Sequence, residues 1–217
     1  MFESLPTTDK HWIYDLVFLQ IPKTASSSIN HVLKKRNLVE KHKALVDSKF
    51  ARHPLYKGVF DTRHCLPSHL KMVFSDKIRG YFSFAVVREP ISRLQSSYHF
   101  GRENKLWKIY GLSEDTSADA YIEFLWKNRT RQDILILLPQ SQWTHSDVFR
   151  PTEILRFEEL SESWGKMLDK HNIQGISKTL PRLNKSNNTG EQIFSAESLD
   201  KIKILYRVDY ELLKYDI

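Results

Sequence analysis

"DLVFLQIPKTASSSINHVLKK", residues 15–35, is the stretch on which the fold is decided. It opens with a nearly continuous apolar run over 15–21, of the kind buried on both faces of a parallel sheet. Pro22 and Lys23 then lead into five small residues, Thr24–Ser28, four of which carry a hydroxyl. A helix follows from about Ser26, with Ile29, Val32 and Leu33 on one face. Its basic ending, Lys34–Arg36, suits the helix dipole. A loop that only reverses the chain would more often use Gly, Asn or Asp. A helix N-terminus offers unpaired N–H groups and positive potential, so it takes phosphate or sulfate readily. The hydroxyls of Thr24, Ser26, Ser27 and Ser28 add donors there, and Lys23 adds a mobile charge. The plainer alternative is an N-capping serine with solvated neighbours. A Walker A loop, GxxxxGK[ST], carries its Lys after the glycines and beside a Mg²⁺-binding hydroxyl. Here the loop has no glycine and its Lys comes first, which weighs against an ATPase or GTPase of the usual kind.

The same layout recurs in "YFSFAVVR", residues 81–88, followed by Glu-Pro and the helical spacing of Ile91, Leu94 and Tyr98. Pro90 suits a first helical position. Ligands of open α/β sheets lie beyond the carboxyl ends of the strands, so Arg88 is expected on the same edge as Lys23. Ser92 and Ser96 are four apart and share a helix face, where either hydroxyl can serve an oxyanion held by Arg88. The competing role for Arg88 is a structural ion pair with Glu89.

Further out, residues 40–70 read as irregular structure around a short strand at Gly58–Asp61, with a helical stretch near Pro67–Phe74. Helices are expected at 118–128 and 130–138, a strand near 153–157 in "EILRFEEL", and a helix over "SESWGKMLDKHNI". "LPRLNKSNNTG" reads as a polar loop, and one or two helices close the chain. Strands alternating with helices predict an α/β domain around a mainly parallel sheet flanked by helices, one domain over residues 1–217.

The 217 residues are enough to bury a core without staples, and 41% hydrophobic content marks a globular chain. Lys and Arg outnumber Asp and Glu by 33 to 26, a net +7 that favours anionic partners without choosing among them. One cysteine, Cys65, excludes an internal disulfide framework and a multi-cysteine metal site. No signal sequence is visible, and no apolar run nears the roughly 20 residues that span a bilayer. A soluble, cytoplasmic protein is expected, with its oligomeric state unreadable.

"QIPKTASSSI" and "VVREPISRLQSSYHF", in that order, resemble the 5′-phosphosulfate and 3′-phosphate motifs of the carbohydrate sulfotransferases. That family includes the Golgi enzymes, among them heparan sulfate 2-O-sulfotransferase, and bacterial relatives. "ILRFEEL", "LNKSNNT" and "YRVDYELLKY" are similar to its later segments, so the likeness spans nearly the whole chain. It implies a P-loop-like α/β fold and 3′-phosphoadenosine-5′-phosphosulfate (PAPS) as sulfuryl donor, with no metal. It assigns Lys23, Thr24, Ala25, Ser26, Ser27 and Ser28 to the phosphosulfate. Arg88 and Ser96 fall to the 3′-phosphate and Lys185 to a loop folded over the nucleotide, with Asn184 a weaker candidate. Lys23 would neutralise charge on the departing phosphate oxygen. The relatives place a general-base histidine between the two motifs; His64 matches best, with His69, His53 or a Glu as fallbacks. Gln140 and Trp143 are candidates for the border of an acceptor groove. The acceptor is expected to be a hydroxyl of a glycan or small molecule. The rivals are a Mg²⁺-dependent nucleotide kinase-like phosphotransferase and a non-catalytic basic module that binds polyanions. No nucleic-acid-binding signature is present.

Overall fold

A computed structural model describes residues 15–50, 62–104, 106–183 and 191–216. Among them, the strands β1 (Val17–Leu19), β2 (Ser83–Val87) and β3 (Glu153–Arg156) form one parallel sheet in the order β1-β2-β3. Phe18 pairs with Phe84, and Phe84 with Glu153. All three strands therefore end on one rim. The outer edge of β1 is closed by the buried Asn37, whose Oδ1 accepts from the Phe18 and Val39 N–H groups.

The apolar runs are buried on both faces, as their lack of alternation predicted. On one face Phe18, Phe84 and Val86 pack with Ile29 and Leu33 of α1 (Ser26–Leu33). The rings of Phe18 and Phe84 stack with centroids 4.7 Å apart. On the other face Val17, Leu19, Ala85 and Val87 meet α2 (Leu38–Lys41), α3 (Lys43–Phe50) and α4 (Pro67–Phe74). A third cluster joins α5 (Pro90–Glu103) to α6 (Ala118–Lys127) through Leu94, Tyr98, Tyr121 and Ile122. The short α7 (Ser141–Thr144) buries Trp143 against the sheet, and α8 (Leu160–Lys170) covers the α1 face through Trp164 and Met167. The chain closes with two helices, α9 (Ala196–Leu205) and α10 (Arg207–Leu213).

Two local expectations change. Residues 43–50 are helical, because Val46 and Phe50 at a four-residue step suffice to bury one face of α3. Residues 130–138 are turns and a single 3₁₀ turn, Leu135–Leu137. Ile134 through Leu138 are all buried, so no amphipathic stripe exists. Pro139 also biases Leu138 to extended backbone, observed at φ −69° and ψ 130°. The expected strand at Gly58–Asp61 lies outside the described residues, and Thr62 opens a 3₁₀ turn, Thr62–His64. No helix among the described residues is long and apolar enough to cross a membrane.

Candidate active site

Beyond β1 the chain turns through Lys23 and Ala25, both in the left-handed region at φ 72° and 70°. Such a conformation costs an L-residue about 1–2 kcal/mol, yet it turns successive N–H groups toward one concave side. Two hydroxyls brace the loop from within: Thr24 Oγ1 and Ser26 Oγ both donate to the Ile21 carbonyl, at 2.9 and 3.3 Å. Ser28 Oγ accepts from the Leu183 N–H at 3.3 Å, and Ser27 lies exposed on the first turn. Ala25 is the N-cap of α1, so no side chain caps this helix and its first turn has no acidic residue. Its first N–H groups have no intrahelical acceptor, and the positive end of α1 meets the rim.

Lys23 extends from this loop across α5, with Nζ 3.5 Å from the centre of the Phe100 ring. Burial first, and then the positive charge of Arg88, lower the Lys23 pKa to about 7, against a counter-pull from Glu103. At neutral pH Lys23 therefore carries less than its usual charge.

The second corner follows β2. Arg88 Nε donates to Ser92 Oγ at 2.9 Å, and Nη1 points at the Lys23 carbonyl at 3.4 Å. Its guanidinium lies 4.1 Å from the centre of the Phe157 ring, just beyond β3. Burial lowers the Arg88 pKa from the ordinary guanidinium value, with Glu158 and Glu89 opposing. The competing ion pair with Glu89 does not form among the described residues. Glu89 instead caps α5, accepting from the Ile91 and Ser92 N–H groups at 2.9 and 2.6 Å, and takes a third bond from Tyr210. Ser96 stands one helical turn beyond Ser92 and is half-buried.

His64 joins the rim through the 3₁₀ turn Thr62–His64. Its Nδ1 lies 2.7 Å from the Gln20 carbonyl, which can only accept, so Nδ1 carries a proton and the neutral ring's basic nitrogen is Nε2. The His64 carbonyl accepts from Trp143 Nε1 at 3.3 Å. His69 is buried in α4 against Phe50, ring centres 5.1 Å apart. His53, Asn184 and Lys185 lie outside the described residues. Gln140 and Trp143 do not border a groove: both are fully buried, the amide of the first bonding the Arg88 backbone. The size and apolar flanks of the LPQSQW segment favour the core over a rim.

Phe100 and Phe157 are absent from the residues singled out in the sequence. Phe100 had a signal, since Ser92, Ser96 and Phe100 step by four along one face of α5. Phe157 had none, because only strand pairing brings it under Arg88.

The model of the sulfotransferase family matches residues 8–216. No curated protein and no solved structure matches the chain. With the match covering nearly every residue and both motif corners brought to one rim, the chain belongs to the sulfotransferase family, whose members move a sulfuryl group.

Proposed function

We propose that the protein transfers the sulfuryl group of PAPS to an acceptor hydroxyl, that of a carbohydrate, by in-line displacement. The observation that carries this reading is the meeting of two unlike anion corners, with Arg88 Nη1 3.4 Å from the carbonyl of Lys23. The Arg88 charge also depresses the Lys23 ammonium, a repulsion that an anion bound between the two side chains relieves. The loop Lys23–Ser28 receives the phosphosulfate on the uncapped amides of α1. Arg88, with Ser92 and Ser96 on the adjoining face of α5, receives the 3′-phosphate.

In the displacement the acceptor oxygen attacks sulfur as the bond from sulfur to the bridging phosphate oxygen breaks. Charge grows on that oxygen, and Lys23 neutralises it in a partly dry site, where such a contact is worth more than in water. The acceptor proton passes to His64 Nε2. The Gln20 carbonyl, holding Nδ1–H, keeps the imidazole in the tautomer this requires and stabilises the cation that forms.

Calorimetric titration with adenosine 3′,5′-bisphosphate tests the reading. Binding in the micromolar range is expected, and no heat at high micromolar nucleotide overturns it. His64→Ala should leave that affinity within about twofold and lower turnover by about 10²–10⁴-fold. Turnover is measured with labelled donor against a panel of hydroxylated acceptors, and its survival in the variant would place the base elsewhere.

A further inference from the structure

Arg88 leaves β2 one residue after the ladder with β3 ends at Val87 and Arg156. Its backbone groups are nonetheless paired, and the partner is a side chain. The Arg88 N–H donates to Gln140 Oε1 at 2.9 Å, while Gln140 Nε2 donates to the Arg88 carbonyl at 2.7 Å. The Gln140 amide thus imitates a neighbouring strand and extends the ladder by one residue, the residue that carries the guanidinium. Gln140 is fully buried and is itself anchored. Its N–H and that of Ser141 donate to the two carboxylate oxygens of Asp209, at 2.8 and 2.9 Å, and Asp209 is fully buried on α10.

The other end of this arrangement reaches the first corner. Arg93, one turn along α5 and 1% exposed, sends Nε to the Pro22 carbonyl at 3.1 Å. Its Nη1 lies 3.4 Å from the Leu138 carbonyl, two residues before Gln140. Pro22 immediately precedes Lys23, so one buried strut runs from the phosphosulfate loop through Arg93 and residues 138–140 to the backbone of Arg88. Asp209 holds it from below and attracts Arg93 electrostatically. Burying a cation and a carboxylate rarely adds stability beyond what apolar packing would supply. Their directed bonds instead fix one geometry, because each broken contact would leave a buried polar group without a partner.

We propose that Gln140 is a positioning residue: held by Asp209 and tied through Arg93 to Pro22, it sets the Arg88 guanidinium at the distance from the Lys23 loop that a 3′-phosphorylated adenosine nucleotide spans. This rests on the reading of Arg88 as the 3′-phosphate anchor. It gives the segments "LPQSQW" and "YRVDYELLKY" a shared task.

Two substitutions separate placement from mere packing. Gln140→Leu removes both bonds to Arg88 at similar volume. Gln140→Glu keeps an acceptor for the Arg88 N–H but sets a second acceptor against its carbonyl. Two readouts are taken on the full chain: amide hydrogen exchange at Arg88 without nucleotide, and the calorimetric affinity ratio of adenosine 3′,5′-bisphosphate to adenosine 5′-phosphate. In Gln140→Leu exchange at Arg88 should quicken on the order of tenfold, and the ratio should fall about tenfold through loss of the bisphosphate. Gln140→Glu should fall between that variant and the wild type, and it carries the test alone if Gln140→Leu does not fold. Unchanged exchange at Arg88 in a folded variant overturns the strut, and quickened exchange with an unchanged ratio overturns its positioning role. A wild-type protein without preference for the bisphosphate overturns the anchoring reading of Arg88 instead, a result visible before any variant is made.

Discussion

The two corners of the rim share a plan and differ in how their helices begin. Both follow a buried parallel strand, carry a cation and a proline at the turn, and open a helix. At the first, α1 starts on Ala25 with no side-chain cap and no acidic residue in its first turn. At the second, Glu89 caps α5 with its own carboxylate, taking the N–H groups of Ile91 and Ser92. A capped helix has spent its free amides and its positive end on itself. In the proposed reading, only the first corner therefore presents backbone amides to the anion, and the second binds through side chains. The difference matches the two ends of the proposed donor, a reacting phosphosulfate and a phosphate that is only held.

The comparison is broken most severely by removing the reacting cation. Lys23→Ala should lower kcat by about 10²–10³-fold, the usual loss of a group that stabilises developing charge, as read in single-turnover assays with labelled donor. Arg88→Ala should act on binding rather than on the chemical step. It should weaken adenosine 3′,5′-bisphosphate by about 1.5–3 kcal/mol, the worth of charged hydrogen bonds, while adenosine 5′-phosphate binds nearly as before. A variant that lost both nucleotides equally would show that the corners do not divide the ligand.

pH sharpens the contrast further. Burial and the Arg88 charge hold the Lys23 pKa near 7 in the free protein, and an anion bound beside it raises that value. Binding above pH 7 therefore takes up a proton. Affinity should fall up to about tenfold per pH unit from 7 upward, with no slope from this group below 7. Calorimetry at pH 8 in buffers of different ionisation heat should register close to one proton taken up, and Lys23→Arg should abolish that uptake.

The smallest effect concerns the loop itself. Ala25 adopts φ 70°, where glycine sits without strain. Ala25→Gly should shift stability by no more than about 1 kcal/mol, the relieved strain being partly offset by unfolded-chain entropy, with nucleotide affinity within about twofold. Thermal melting and titration of the same sample check both halves.

Much of the site was legible along the chain because its leading groups sit at strand ends. An unbroken apolar run marks a two-face-buried strand, and the residue after it must emerge at the rim; Lys23 and Arg88 were readable on that ground. The helical step of four made the Ser92–Ser96 face readable, and it extends to Phe100. Gln140 escaped because its partner, Arg88, is 52 residues away in sequence, and an amide in "LPQSQW" looks alike in a groove and in a core. The segment 130–138 misled for a related reason: side chains apolar on every side do not reveal a helix period, and its course was set by burial and by Pro139.

By itself the sequence determined the two strand–loop–helix corners and the kind of charge each carries, since these depend on residues within a turn of one another. The tertiary structure alone decided that β2 lies between β1 and β3. It also decided that Arg88 faces the Lys23 carbonyl and that the buried amide of Gln140, itself bonded by Asp209, pairs the Arg88 backbone. Such pairings require distant segments to close into one packed core, and no local pattern of side chains encodes which segments will meet.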